Sequence, residues 1–310
     1  MELILKSLIP LTFIIAIGWF AGWRKIVDHK HSTHFATYVM SFSFPCTLFV
    51  KTATSNIDDL INIRFIGGFA LGLMGMYALA FIVNRYIYRR PVAESCQCSF
   101  VSAFPDMAFM GIPIFMVLFG EDALISIVVG NIVTSLIMIP LTVSVLEIAK
   151  DSETRTSISS MIFKVFKKPL VLAPVFGTLV SALNIKVPGL AVESLKLLGG
   201  TTSGVSLFAL GLIMSSDRIS FNRFVILNIF RKNILHPLLM WAIVVAFGIS
   251  GEWGKEAILL CAMPPAIMTT MFAVKYDVLK LESSSSTVLG TVVSLFTMAT
   301  IMYMMGIGQR

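Results

Sequence analysis

"SAFPDMAFMGIPIF" occupies Ser102–Phe115 and sets two prolines, a glycine and an acid inside an otherwise apolar stretch. A helix crossing lipid keeps its backbone groups bonded internally, because hydrocarbon offers no replacement partner. Pro105 and Pro113 each remove an amide donor and crowd the preceding turn. The stretch therefore predicts an opened helix rather than a plain apolar rod. Open backbone at membrane depth is tolerated only where protein or a polar cavity encloses it.

The chain around this stretch leaves little room for anything but membrane. Its 310 residues are 56% hydrophobic and 13% charged, with a mean hydropathy of +0.87, far from the balance of a soluble domain. About 20 apolar residues cross a hydrocarbon core of roughly 30 Å. Ten such runs occur, at 3–21, 33–50, 66–84, 94–119, 124–146, 169–184, 195–214, 224–248, 256–276 and 287–306. The longest polar interruption, KDSETRTSISSMIFKVFKK at 150–168, separates five runs in 1–149 from five in 169–310. The first run is too long for the h-region of a signal peptide and no small-x-small site follows it, so it reads as a retained span.

The net charge of +7 does not form a nucleic-acid face, because the cations are not gathered in one domain. If the spans alternate sides, fifteen of the 24 Lys and Arg residues fall in gaps or at run ends on one side and seven on the other. The positive-inside bias makes the richer side cytoplasmic and puts both termini outside. Arg231 and Lys232 lie about two turns into the eighth run, where snorkelling to the cytoplasmic surface is the default. Cys46, Cys96, Cys98 and Cys261 fall in or beside apolar runs and read as buried thiols rather than zinc ligands. His29, His31 and His34 share the first cytoplasmic gap without a Cys or paired acid, so no metal site is expected.

Five spans per half would place the second half upside down relative to the first, if both share a fold. The ninth run repeats the anomaly of the fourth. In "CAMPPAIMTTMF", Pro264 stands where Pro105 stands in "SAFPDMAFMGIP", and Pro265 doubles the effect. The second run places Ser41, Ser43 and Pro45 against Ser203, Gly204 and Ser206 of the seventh. Such small and hydroxyl residues let helices approach closely and can also bind ligand. Pro10, Pro140, Pro174 and Pro237 read as kinks that shape packing.

A half-helix restarts after each break, near Met107 and near Ala266, with amides that suit a carboxylate. Neither break holds Lys or Arg, so Asn131, Thr269 and Thr291 are the neutral donors available to an anion. Thr287, Thr291 and Ser294 share one helix face, whereas Ser283 to Ser286 read as a helix cap. Asp106 is the one acid placed near the centre of a span, where a charge costs on the order of 2.5–3.5 kcal/mol. Ionised, it would repel an anion held over the same helix ends. Burial and an incoming anion both favour the neutral carboxyl, so Asp106 is expected to couple anion movement to a proton. The alternative is a carboxylate that only caps the half-helix.

Several segments in this order carry a family resemblance: "FMGIP" at 109–113, "KKPLVLAPVFGTLVSALNIKVP" at 167–188, "SGVSLFALGLIM" at 203–214, and "AMPPA" at 262–266 followed by "AVKYDV" at 273–278. With the Ser/Thr-rich tenth run, they make nearly the whole chain resemble the auxin efflux carrier family. Its members include plant PIN proteins and bacterial carboxylate carriers such as malonate transporters. The resemblance implies an all-α polytopic membrane protein of ten transmembrane helices in two inverted five-helix repeats, with the fourth and ninth helices broken and crossing near the membrane centre. The bile acid:sodium symporters look like more distant relatives of the same architecture, and some of them use sodium.

The implied substrate is a small organic anion, with malonate or a similar carboxylate first and an aromatic carboxylate second. The resemblance implies binding beside the crossing; the residues themselves point to Asp106, Met107, Asn131, Ala266, Thr269 and Thr291, with Ser43 and Ser206 nearby and Pro105, Gly111, Pro113, Pro264 and Pro265 shaping the breaks. Asn131 matches a polar position that family members place beside substrate. The family commonly has Asn in place of Asp106 and often Asn in place of Met268; Thr269 and Thr270 supply polarity instead. No cofactor is implied. The coupling ion is a proton, with sodium as the alternative. The bilayer and a carboxylate are the partners, with a homodimer left open.

No H-E-x-x-H, G-x-S-x-G or Walker A sequence is present, which disfavours an intramembrane enzyme or an ATPase. Channels usually build symmetry from several subunits; here the repeat lies within one chain and points to a secondary carrier. The short central loop and the lack of a targeting extension favour a bacterial cytoplasmic membrane.

Overall fold

The computed structural model describes residues 2–28, 31–54, 63–120, 123–149, 169–215 and 219–307. The expected linker at 150–168 and His29 lie outside them. Among the described residues the chain is helical, and its one extended pairing is an isolated antiparallel bridge.

Helix α1 is Glu2–Trp23. Ser32–Tyr38 (α2) passes through a π-helical turn, Val39–Ser43, into Phe44–Thr54 (α3). Ile63–Ile82 is α4 and Val92–Ala103 is α5. A π-helical turn at Met107–Gly111 leads into α6, Ile112–Leu118. Leu124–Val133 (α7) continues through Thr134–Met138 into Ile139–Ala149 (α8). Then come α9 (Pro169–Ala182), α10 (Gly189–Gly199) and α11 (Thr202–Met214). Arg223–Phe230 (α12) runs through the π-helical turn Arg231–Leu235 into His236–Ala246 (α13). The last three are α14 (Glu252–Ala262), α15 (Ile267–Tyr276) and α16 (Lys280–Met304). Among the described residues, four helical stretches are long and apolar enough to cross a membrane: Ile63–Ile87, Gly189–Met214, Arg223–Ala246 and Lys280–Met304.

Seven of the twelve prolines sort into two kinds. Val39–Ser43, Met107–Gly111, Thr134–Met138 and Arg231–Leu235 each end two residues before a proline, namely Pro45, Pro113, Pro140 and Pro237. A proline cannot donate to the carbonyl one turn back and its ring presses on that carbonyl. One widened turn relieves the clash and the helix continues. Pro105 and the Pro264–Pro265 pair instead open the helix, with extended backbone at Phe104 (ψ 105°) and Met263 (ψ 151°). Residues before proline favour that conformation.

Packing does not follow chain order. The most extensive contacts join α3 to α9 and α1 to α11, with α10 beside α3 and α2 beside α11. A second group forms where α4 meets α5 and α13, α13 meets α14, and α16 meets α12 and α15. The turn at 107–111 and α6 link this group to α1 and α11.

Small residues permit the closest approaches. A Cβ on Gly211 would fall on the Ile15 carbonyl and 2.8 Å from the Trp19 amide; one on Gly18 would fall on the Phe208 carbonyl. The backbones of α1 and α11 thus touch, as small residues allow within membranes. Gly211→Leu is expected to lower the thermal unfolding midpoint in detergent, with a loss of about 3 kcal/mol. An unchanged midpoint would show that α1 can move aside.

Candidate functional site

The two proline breaks meet. Pro105 and Pro265 pair as an antiparallel bridge. The Asp106 amide donates to the Pro264 carbonyl at 2.9 Å, and the Ala266 amide donates to the Phe104 carbonyl at 2.9 Å. Each break therefore satisfies a backbone group that the other leaves open, as buried amides and carbonyls require. Gly290 on α16 makes room for this junction, because its missing side chain lies where Pro265 packs. Asn233 donates to the Gly290 carbonyl at 2.8 Å and fixes that stretch of backbone.

The bridge changes the supply of amides. Those of Asp106 and Ala266 are spent across it, and that of Met107 donates to the Pro105 carbonyl at 2.9 Å. The Gly111 amide closes the wide turn on the Asp106 carbonyl at 3.0 Å. The Ala266 and Met107 amides are thus not open to a solute as the broken-helix pattern suggests. Ile267 and Met268, next along α15, are the helix-start amides that the bridge does not use.

Side-chain donors narrow in the same way. Thr269 is buried and its hydroxyl donates to the Ala266 carbonyl at 2.7 Å. Thr291, also buried, donates to the Thr287 carbonyl at 2.8 Å. A hydroxyl has one proton to give, so both present acceptor lone pairs. Asn131 is half-buried and spends one amide hydrogen on the Ile127 carbonyl at 3.0 Å, which leaves its second hydrogen to donate. Gly130 beside it abuts Met107, where a Cβ would meet the thioether. Asn131 therefore flanks the first break.

Ser43 and Ser206 belong to the other helix group. Ser43 is buried and hydrogen-bonds Thr202, while Thr201 donates to it at 3.1 Å. Ser206 donates to the Ser203 carbonyl at 3.1 Å. Ser43 thus ties the second apolar run to the α10–α11 junction. Pro113 starts α6 and is buried.

Two expectations are corrected. Arg231 and Lys232 do not snorkel to the surface: Arg231 is 6% exposed and Lys232 is 0% exposed. Arg231 donates to Asn84 Oδ1 at 3.3 Å. Lys232 Nζ donates to the Cys261 carbonyl at 2.8 Å and lies 3.1 Å from His236 Nδ1. The serines at 283–286 do not cap a helix either. Helix α16 begins at Lys280, after Leu279 in the left-handed region (φ 49°). The serines are buried in the next turn, where Ser283 accepts from Gln97 at 3.0 Å and Ser285 from the Ser220 amide at 2.9 Å.

Sequence reasoning passed over Gln97 and Glu256, and it set Lys232 at the surface. Gln97 crosses from α5 to α15 and donates to the Thr269 carbonyl at 2.8 Å. Glu256 is 6% exposed and accepts from Ser126. Lys232 and His236 stand four residues apart, hence on one helix face, and that spacing was the available signal. Asp106 is 2% exposed, and the Lys232 ammonium interacts electrostatically with it.

Comparison with known proteins finds membrane transporters of similar sequence. The family described as Membrane transport protein matches residues 3–302. "Uncharacterized transporter YfdV" of Escherichia coli (strain K12) is 25% identical over 296 residues, covering 93% of this chain and 94% of the relative. "Putative malonate transporter" of Rhizobium meliloti (strain 1021) is 20% identical, covering 97% and 95%. "Auxin efflux carrier component 5" of Arabidopsis thaliana is 18% identical, covering 94% and 93%. The chain belongs to the membrane transport protein family, of auxin efflux carrier type. It is a multi-pass membrane transporter and not an enzyme.

Proposed function

We propose that this member of the membrane transport protein family is a secondary active carrier of small organic anions, which binds a carboxylate at the crossing and couples its movement to a proton through Asp106. The observation that carries the reading is the reciprocal bridge between Pro105 and Pro265. Two interrupted helices that exchange one amide each are what an inverted pair of five-helix repeats, 1–149 and 169–310, would place at its pseudo-two-fold axis. Transporters of this plan bind substrate where such helices meet. Malonate is the first candidate, because a relative that matches over nearly its whole length bears that substrate in its name. The cation asymmetry supports a cytoplasmic membrane with both termini outside.

A thermal-shift screen of the purified protein against organic acids at two pH values tests the substrate class, since a ligand that binds the folded state raises its stability. Malonate is expected to raise the midpoint and to drive saturable counterflow in proteoliposomes. Lack of response to every carboxylate would end the reading.

The donor inventory sharpens it. Asn131→Ala is expected to weaken malonate binding by about 10–100-fold, the value of a hydrogen bond to a charged group. Thr291→Val, which removes a hydroxyl already bonded to its own helix, is expected to change it by less than about threefold. Isothermal titration of both variants checks the order; equal effects would place the carboxylate elsewhere.

A further inference from the structure

Lys232 is a buried charge that the carrier reading leaves without a task. It sits in the π-helical turn Arg231–Leu235, inside the span Arg223–Ala246, and is 0% exposed. Its Nζ donates to the Cys261 carbonyl at 2.8 Å. Cys261 lies one residue before the end of α14, which closes at Ala262. Carbonyls at a helix C-terminus lack intrahelical partners and carry partial negative charge. Across the bridge, Asp106 interacts electrostatically with the same ammonium. One side chain thus holds the carbonyl end of one interrupted helix, with the acid that begins the second half of the other in electrostatic range.

Broken-helix transporters hold a coupling sodium ion with half-helix carbonyl ends and unwound backbone, and sodium, a hard cation, takes oxygen ligands such as these carbonyls and the carboxylate. Here a primary ammonium on a four-carbon stem meets one such oxygen, the Cys261 carbonyl. A buried cation is tolerated only when it is hydrogen-bonded and its charge is offset; the Cys261 carbonyl supplies the bond, and Asp106 supplies an opposite charge in electrostatic range. A lysine two turns into a span could have reached the surface instead, yet this one turns inward at a widened turn. Such turns recur at functional sites.

We propose that the Lys232 ammonium is a resident cation at the crossing: it stands in the place of a coupling sodium ion and balances Asp106, so the carrier works without sodium. The use of this cation rests on the carrier reading, but its test does not need a carboxylate.

The unfolding midpoint of the full-length protein is measured in sodium chloride and in choline chloride at equal ionic strength. The wild-type midpoint is expected to be the same in both. Lys232→Ala is expected to unfold at a lower temperature in choline and to recover as the logarithm of the sodium concentration rises, because sodium can now fill the vacated place. The double variant Lys232→Ala/Asp106→Asn, with both charges gone, is expected to recover much of the loss and to ignore sodium.

A wild-type midpoint, or wild-type malonate uptake, that climbs with sodium would overturn the proposal. It would point to a separate sodium site, with Gln97 Oε1 and Asn233 Oδ1 as buried acceptors that have no hydrogen-bond partner. A Lys232→Ala protein that keeps wild-type stability and ignores sodium would overturn it too. If the single variant does not fold, the wild-type sodium titration and the double variant still decide. A failed carboxylate screen with an intact sodium result would sink the substrate assignment and leave the resident cation standing.

Discussion

Asp106→Asn is expected to carry carboxylate at a rate that no longer varies with pH and to lose uphill accumulation driven by a pH gradient, while counterflow persists. The reason is a count of charges in a closed space. Asp106 is 2% exposed and shares its surroundings with the fully buried Lys232. On the proposed mechanism, the empty crossing holds one negative and one positive charge. A bound carboxylate adds a second negative charge, which a buried site tolerates poorly. A proton on Asp106 restores the balance. In wild type, acid on the loading side is expected to supply that proton, so uptake should rise as pH falls, by up to about tenfold per pH unit where the group titrates.

Asn keeps the shape and is neutral at every pH. The backbone amide at this position would still donate to Pro264, so the bridge survives the substitution. Uptake measured across a pH range above the substrate's own ionisation checks the outcome. If the variant keeps the wild-type profile, the proton travels by another group and Asp106 only caps its half-helix.

The breaks were legible because their cause is local. Pro105, Pro264 and Pro265 lack an amide hydrogen whatever surrounds them, and two matched interruptions in apolar runs announce open backbone. Other features depend on neighbours distant in sequence. Pro45, Pro113, Pro140 and Pro237 look alike in the chain, yet a widened turn absorbs each of them and the helix runs on. Lys232 reads as a snorkelling residue until the Cys261 carbonyl, 29 residues away, appears beside it. The serines at 283–286 look like a cap because the start of α16 at Lys280 is set by the turn before it. The donor state of Thr269 and Thr291 was also hidden, since a rotamer decides whether a hydroxyl faces its own helix or a ligand. Chain order gave five runs and five, whereas packing sets α1 against α11 and α3 against α9. A hydropathy profile contains no term for which helices touch.

Gly290→Val is expected to damage stability and binding together, because it strikes the junction on which the site stands. A Cβ at Gly290 would lie 2.8 Å from Pro265 Cδ and 3.3 Å from Cγ. Neither side has an easy retreat. The Pro265 ring is rigid and its backbone is paired with Pro105, while the Gly290 carbonyl is held by Asn233 at 2.8 Å. Seating the larger side chain requires Pro265 to move, which pulls on the two bridge hydrogen bonds at Asp106 and Ala266. Overpacking costs about 1–3 kcal/mol, and each buried bond lost costs about 1–3 kcal/mol more. The sum of about 3–9 kcal/mol is comparable to the whole stability of a folded domain, about 5–15 kcal/mol. The variant should unfold at a much lower temperature and show no midpoint shift with malonate; Gly290→Ala should fall between. Gly204→Ala is the matched control, since a Cβ there meets nothing within 4 Å, and it should behave as wild type. Wild-type stability and transport in Gly290→Val would mean that the two breaks can separate without loss, and the bridge would then not be what holds the binding site together.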